Sequence, residues 1–317
     1  MKYIEEFREG EQVRGIYFCK TRVVATAKNG KPYESLTLQD KTGTIDGKIW
    51  DPNSGGIEDY DKMDYVDVMG EITSFNGSLQ FNIKRLRKAG PEEYEEKEYF
   101  PISDKDIEEM YGELLALIDS VKEPHLHRLL DILFRESEGF ITEFKKHSAA
   151  KSVHHGFIGG LLEHTLTVTK ICDFYSTTYP LLNRDLLITA AICHDIGKIN
   201  ELSSFPENDY TDEGQLLGHI VMGIEAVGRL VRSIEGFPPR LANELKHCIA
   251  AHHGELEYGS PKKPAIIEAV ALNFADNTDA KMETMKEAFA NIPEGSTEWL
   301  GYNRLIESNI RRTGKTD

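Results

Sequence analysis

The sequence predicts a small all-β barrel followed by an all-helical domain. Residues 13–89 alternate apolar and polar side chains over short segments, which is the period of a strand, whereas apolar residues recur every three to four positions from about residue 107. The chain has 317 residues, of which 40% are hydrophobic. Because this length and composition can fill two cores of ordinary size, we expect two globular domains.

Turn residues separate five predicted strands in the first domain. An insertion over residues 51–64 follows the third strand, and Asn76-Gly77 is a type I′ hairpin signal between the last two. Five strands with an insertion after the third match the partly open Greek-key barrel called the OB-fold, whose strand-two and strand-three face binds oligonucleotides. A generic small barrel used for protein contacts is the alternative. The predicted strands span residues 13–26, 33–39, 44–50, 65–73 and 79–85.

Aromatic and basic side chains occur together along these strands. Aromatic rings can stack on bases while nearby lysines and arginines follow the phosphates, so the pattern predicts a surface for single-stranded nucleic acid. Packing in the barrel core is the alternative role for about half of the aromatic residues. The predicted nucleic-acid-binding residues are Tyr17, Phe18, Lys20, Arg22, Tyr33, Lys48, Trp50 and Phe81.

An acidic segment separates the two predicted domains. Residues 91–109 hold 9 acidic and 2 basic side chains, and we predict a linker there between an OB-fold domain at 1–90 and a helical domain at 110–317. The stripe Leu114, Leu117, Ile118 and Val121 marks the first helix. Further helices are predicted at about 125–147, 159–179, 184–197, 216–235, 240–252 and 264–291.

Histidines and aspartates in the helical domain form a pattern typical of a metal centre. His164 falls on the buried stripe of its helix, His194 and Asp195 close an apolar helix that we expect to end at Gly197, and Asp276 continues another apolar stripe. We call His164, His194, Asp195 and Asp276 the core ligands. Their spacing directs imidazoles and carboxylates from three helices into one interior.

Burying these groups without a cation would cost several kcal/mol per unpaired charge, so a divalent metal is expected. Imidazole and carboxylate ligands without sulfur suit Mn²⁺, Fe²⁺, Co²⁺, Ni²⁺ or Zn²⁺ better than Ca²⁺, and Mn²⁺ is our first choice. His219, His252 and His253, which we call the outer histidines, permit a second ion with Asp195 as the bridge. The prediction is therefore one or two divalent ions.

Two further residues are predicted to act on substrate. Lys198, three residues after Asp195, can reach a phosphate oxygen, although a lysine that offsets the helix dipole is the alternative. His155, like His154, precedes the helix of His164 and is expected to face substrate, with a solvated loop as its alternative.

The formal net charge of −16 is unevenly distributed. Residues 1–90 carry 14 basic and 14 acidic side chains, so the excess lies in the linker and the helical domain, and the barrel can still meet a polyanion through weak, salt-sensitive binding. No secretory, transit or lipidation signal and no membrane-length apolar run is present, so a cytoplasmic protein without a membrane partner is expected. The oligomeric state stays open, a homo-oligomer included.

The order of the core ligands resembles the HD phosphohydrolase superfamily, and the outer histidines resemble its dinuclear members. The barrel, together with the segments at 159–164 and 251–261, resembles the YhaM-type 3′-to-5′ exoribonucleases of Gram-positive bacteria. This resemblance implies metal-dependent degradation of single-stranded RNA to 5′-nucleotides and leaves single-stranded DNA open as a second substrate. HD-type cyclic-dinucleotide phosphodiesterases carry a Gly-Tyr-Pro motif near the histidine pair, which this sequence lacks.

Two other functions remain open. The protein could hydrolyse free or signalling nucleotides, with the barrel used for oligomerisation. It could also be a regulatory nucleic-acid binder with a vestigial HD site, although the complete ligand set argues against decay. A strand-binding barrel favours the exonuclease, because an enzyme acting on mononucleotides has no evident need for one.

Overall fold

The computed structural model describes residues 1–27, 30–151, 155–290, 292–293 and 295–314. It divides into two compact units, Met1–Ile102 and Ser103–Asp317. The boundary between the units falls inside the predicted acidic linker. The predicted domain limits of 90 and 110 stay a prediction.

The first unit is a closed five-stranded barrel with OB-type topology, as predicted. The strand order is β1-β2-β3-β5-β4, and all neighbouring pairs are antiparallel except β3 with β5, which is parallel. Apolar residues alternate inward along β2, where Leu36 and Leu38 are buried. The strands are β1 (Gln12–Thr26), β2 (Pro32–Asp40), β3 (Gly43–Ile49), β4 (Tyr65–Phe75) and β5 (Ser78–Lys88).

Three of the predicted base-stacking aromatics are wrong, because Tyr17, Phe18 and Phe81 are completely buried. Tyr17 and Phe81 meet Phe7 edge-on inside the barrel, at ring-centroid distances of 5.8 and 5.9 Å. Phe18 points to the opposite face of β1, where Phe100 covers it at 5.0 Å. These rings stabilise the first unit by packing and cannot reach a base.

The segment after β5 packs against the barrel. Tyr94 stacks on Tyr65 with ring centroids 3.6 Å apart, and Tyr99 meets Tyr65 edge-on at 4.8 Å. Glu93 pairs with Arg87 of β5 at 2.7 Å. Residues up to Ile102 therefore belong to the folded first unit, although their acidic composition suggests an extended linker.

The second unit is helical and ends in a short hairpin. The predicted helix at 125–147 is divided into two, because a π-helical turn over Ile132–Glu136 leads into Ser137, which leaves the helical conformation. The helices are α1 (Ile107–Asp119), α2 (Pro124–Asp131), α3 (Glu138–Lys146), α4 (Gly160–Thr178), α5 (Arg184–Cys193), α6 (Lys198–Glu201), α7 (Asp212–Ser233), α8 (Pro239–Ala251) and α9 (Ile267–Phe289).

The C-terminal hairpin, β6 (Trp299–Asn303) and β7 (Ser308–Arg311), is absent from the predicted all-helical domain. Its strands are short and mostly exposed, so they lack the alternation of a half-buried sheet. Among the described residues, no helix has both the length and the hydropathy needed to cross a membrane.

Candidate metal centre

Five segments of the second unit converge on one interior and bring all the predicted metal ligands together. α4 carries His164, α9 carries Asp276, and the turn after α5 carries His194 and Asp195. α7 contributes His219 directly after a kink at Gly218. The end of α8 supplies the last two members of the set, His252 and His253.

The core ligands meet at the Nε2 atom of His164. This atom lies 3.1 Å from His194 Nε2, 3.3 Å from Asp195 Oδ2 and 3.3 Å from Asp276 Oδ1. His194 Nε2 is also 3.3 Å from Asp195 Oδ2. Two imidazoles and two carboxylates thus direct their ligand atoms to one point inside the protein.

The outer histidines form a second group on the other side of Asp195. His219 Nε2 and His252 Nε2 lie 3.5 and 3.7 Å from Asp195 Oδ1. His253 packs against His252 with ring centroids 4.3 Å apart, and ligand atoms of all three histidines lie within 4.8 Å of one another. The two oxygens of the Asp195 carboxylate therefore face two different groups of ligands.

Hydrogen bonds fix which nitrogen of each imidazole faces inward. His194 Nδ1 donates to the Ala191 carbonyl at 2.7 Å, and His252 Nδ1 donates to the Ile249 carbonyl at 2.7 Å. Because a carbonyl only accepts, Nδ1 holds the proton in both rings and Nε2 presents a lone pair to the centre. His253 Nδ1 makes the same kind of bond to a backbone carbonyl. Such outer bonds are typical of metal-ligating histidines.

Two carboxylates that the sequence analysis did not select orient the remaining imidazoles. Asp279 Oδ2 accepts from His164 Nδ1 at 2.7 Å, and Glu201 Oε1 accepts from His219 Nδ1 at 3.0 Å. The signal for Asp279 was its position three residues after Asp276 on one helix, which places both on the same face. Glu201 lies on the four-residue helix α6, where no periodicity could indicate its direction.

The charges of the centre compensate one another. Burial would raise the pKa of Asp195, but Lys198 and the imidazoles outweigh burial and hold that pKa well below its usual range. Burial would lower the pKa of His164, but the carboxylates around it raise that pKa well above its usual range. Burial and the neighbouring imidazoles hold the pKa of His252 well below its usual range, so His252 is in the neutral form that binds metals.

Unpartnered atoms show that the centre fits a cation. Asp195 Oδ1, His219 Nε2 and His252 Nε2 are buried without a hydrogen-bond partner, and each presents a lone pair to the others. Such groups repel one another and lose their hydration on burial, a cost of several kcal/mol that a divalent ion removes. The donor set of imidazoles and carboxylates without sulfur suits a first-row divalent metal.

The two residues predicted to act on substrate, Lys198 and His155, border a cleft that is also lined by His164 and Asp276. Lys198 Nζ lies 2.6 Å from Asp195 Oδ2. His155 is buried, its Nε2 is 2.9 Å from Asp279 Oδ2, and its backbone has the unusual φ of +59°. Gly160 permits this arrangement, because a Cβ there would lie 2.0 Å from the His155 carbonyl oxygen. His154 lies outside the described residues.

On the barrel, Tyr33 and Trp50 form an accessible aromatic pair. Their rings stack with centroids 5.1 Å apart, and Trp50 is 52% exposed. Trp50 Nε1 donates to Asn82 Oδ1 at 3.0 Å, which fixes the ring. Lys20 is exposed on β1. These residues remain available for the predicted nucleic-acid surface.

Arg22 is engaged inside the first unit, and its phosphate-binding role stays a prediction. Its guanidinium pairs with the buried Glu34 at 2.7 Å and lies over the Tyr60 ring at 4.3 Å, and removing it would leave a buried carboxylate unpaired. Lys48 pairs with Asp46 at 2.8 Å. Lys48 also donates to Ser35 Oγ at 2.6 Å, and its contact with a phosphate stays a prediction.

Comparisons with known proteins give one family match, in the second unit, and similar solved structures. Residues 161–281 match the HD domain family, which indicates a metal-dependent hydrolase. One similar solved structure is the second OB-fold domain of replication protein A from Methanococcus maripaludis, with 21% sequence identity, coverage of 27% of this chain and 92% of that chain, and a TM-score of 0.23. At that TM-score the OB-type assignment depends on the strand order and pairing of the barrel itself.

Proposed function

We propose that the protein is a divalent-metal-dependent 3′-to-5′ exonuclease that degrades single-stranded RNA, and also single-stranded DNA, to 5′-nucleotides in the cytoplasm. The observation that carries the proposal is the Asp195 carboxylate, whose two oxygens face the core ligands and the outer histidines. A shared carboxylate of this kind suits two-metal hydrolysis of a phosphodiester. The barrel supplies a site for the rest of the strand.

The residues divide into two ligand groups that share Asp195. His164, His194, Asp195 and Asp276 would hold one ion, and Asp195 with the outer histidines would hold the other. When bound, divalent ions of this kind, with Mn²⁺ as our first choice, activate water for attack on phosphorus and offset the charge of the phosphodiester. Asp279 and Glu201 keep the imidazoles oriented, because each accepts a hydrogen bond from an outward-facing Nδ1.

Lys198 and His155 act on the substrate from the wall of the cleft. Both border the cleft that reaches His164 and Asp276. The Lys198 ammonium is fixed in place by Asp195, so it offers a preorganised positive charge to a phosphate oxygen. Asp279 holds the His155 ring, whose Nδ1 has no hydrogen-bond partner. That His155 faces the substrate stays part of the proposal, because the residue borders the cleft.

A labelled oligoribonucleotide incubated with Mn²⁺ tests the proposal. We expect a ladder that shortens one nucleotide at a time from the 3′ end and releases 5′-nucleotides, and we expect the same from single-stranded DNA but not from a blunt duplex. An inert oligomer with consumption of nucleoside triphosphate would instead support the nucleotide phosphohydrolase. Binding without either reaction would support the regulatory binder.

Replacing Trp50 by alanine should weaken binding of the oligonucleotide about tenfold while leaving the maximal rate of hydrolysis unchanged. Stacking of one base on an aromatic ring contributes about 1–3 kcal/mol. Trp50 belongs to the first unit, whereas the residues of the metal centre belong to the second. Fluorescence anisotropy with a labelled RNA at two salt concentrations measures the affinity.

The matched control for this variant is Phe75→Ala. Phe75 is an exposed aromatic residue at the end of β4, 64% accessible, and it is not one of the eight predicted nucleic-acid-binding residues. We expect near-normal affinity for this control. Equal affinities for the Trp50→Ala and wild-type proteins would remove the Tyr33–Trp50 pair from the binding surface.

A further inference from the structure

The cleft that reaches the metal centre has a wall that the proposed reaction does not use. The cleft has a volume of about 690 Å³, and His164 and Asp276 are among the residues that border it. Tyr258, Phe274 and Leu305 border the same cleft. These three side chains are large and apolar or aromatic, yet they are 66%, 58% and 51% exposed. We call them the collar.

Two of the three collar residues lie close to predicted metal ligands. Phe274 lies two residues before Asp276 on α9. Tyr258 ends a 3₁₀ turn, Leu256–Tyr258, and its carbonyl oxygen accepts the hydrogen bond from His253 Nδ1 at 2.8 Å. Leu305 comes from the turn between β6 and β7. Three separate segments therefore place apolar surface in the same cleft as the groups that would bind the phosphate.

The composition of this cleft matches a site for a small ligand with a flat apolar part. Ligand sites of about 300–1,000 Å³ are mostly lined by apolar and aromatic side chains with a few convergent polar groups. Here Lys198 and Asp276 belong to the metal centre, where they lie against Asp195 and His164, and the rings of Tyr258 and Phe274 line the same cleft. A nucleotide has the same division, with a charged phosphate and a planar base.

We propose that the collar binds the nucleobase of the terminal nucleotide while its phosphodiester lies at the metal centre. This inference rests on the proposed function and adds the part of the substrate that the catalytic cleft recognises. Because every base has an aromatic face, stacking on Tyr258 and Phe274 accepts all four bases. A chain end that lacks a base should therefore bind and react poorly, whatever its sequence.

Binding can be measured without metal, using RNA that carries 2-aminopurine at its 3′ terminus. Stacking quenches the fluorescence of this base, so we expect quenching on addition of metal-free wild-type protein. Tyr258→Ala and Phe274→Ala should each reduce the quenching and weaken binding about tenfold. The matched control is Phe174→Ala, because Phe174 is 65% exposed on α4 and does not border the cleft. This variant should behave as wild type.

The same RNA with an abasic 3′ residue separates stacking from a structural role. On this substrate the Tyr258→Ala and Phe274→Ala proteins should match wild type in affinity and in Mn²⁺-dependent rate, since the base that they no longer stack is missing. Losses of equal size on both substrates would overturn the inference.

The two proposals fail in different ways. If wild-type protein shortens the RNA but does not quench 2-aminopurine, the collar does not bind the base and the exonuclease function stands. The opposite result is also distinct. If wild-type protein quenches 2-aminopurine and the two variants lose affinity only for RNA with a terminal base, while the RNA stays intact with every divalent metal, the base site stands and the exonuclease function is overturned.

Discussion

Replacing Asp195 by asparagine is expected to abolish hydrolysis of the oligonucleotide, with a loss on the order of 10³-fold or more. Asparagine keeps the shape of the side chain but replaces one oxygen by an NH₂ group, which donates hydrogen bonds and cannot bind a cation. Since the two oxygens face the core ligands and the outer histidines at 3.3 to 3.7 Å, either orientation of the amide removes a ligand from one group. The initial rate of nucleotide release with saturating Mn²⁺ measures this effect.

Thermal unfolding gives an independent measure of the same variant. A metal that binds only the folded state raises the midpoint of unfolding, so Mn²⁺ should stabilise wild-type protein and should stabilise the Asp195→Asn protein much less. Asp212→Asn is the matched control, because Asp212 is exposed in the first turn of α7. A folded, metal-replete Asp195→Asn protein with normal activity would falsify the proposed role of this carboxylate.

The ligands of the metal centre could be predicted because helical periodicity determines which side chains point into the core. A histidine on an apolar stripe must point into the core, and a core can hold it only with partners. The same reasoning did not select Asp279, since one carboxylate on α9 already explained the pattern. Its role depends on the distance to His164, 2.7 Å between Nδ1 and Oδ2, and such a distance is a property of the packed fold.

The barrel shows where alternation fails as a guide to exposure. Tyr17 and Phe18 are neighbours on β1, so their side chains point to opposite faces of the sheet and one of them should be accessible. Both are buried, because Phe100 and Tyr65 cover the outer face at Phe18. The covering residue is far along the chain, in a segment whose acidic composition indicates a linker. Only the folded structure shows that this segment covers β1.

The conformation of Gly197 corrects another sequence-based expectation. A glycine after an apolar helix is typical of a left-handed C-terminal residue, but Gly197 has φ −66° and ψ −21°, which any residue can adopt. Glycine is needed at this position because a side chain would not fit. A Cβ at Gly197 would lie 2.0 Å from the His219 carbonyl oxygen and 2.8 Å from the Gly223 nitrogen, so α7 can approach Asp195 only because this position has no side chain.

Replacing Gly197 by alanine should therefore lower both stability and activity by moving α7. Overpacking of this kind costs about 1–3 kcal/mol of unfolding free energy, and a ligand displaced by about 1 Å can cost on the order of 10²-fold in rate. The displaced ligand is His219, whose Nε2 lies 3.5 Å from Asp195 Oδ1. Denaturant unfolding and the initial rate with Mn²⁺ measure the two effects.

The matched control is Gly112→Ala, which makes the same change in the exposed middle of α1, where a Cβ meets no atom within 4 Å. Alanine in a helix is about 1 kcal/mol more favourable than glycine, so this variant should gain stability and keep its activity. The same Gly→Ala change is thus expected to lower the free energy of unfolding at position 197 and to raise it at position 112. A Gly197→Ala protein with wild-type activity would show that α7 can shift without moving His219 from Asp195, and the outer histidines would then tolerate a looser geometry than the structure indicates.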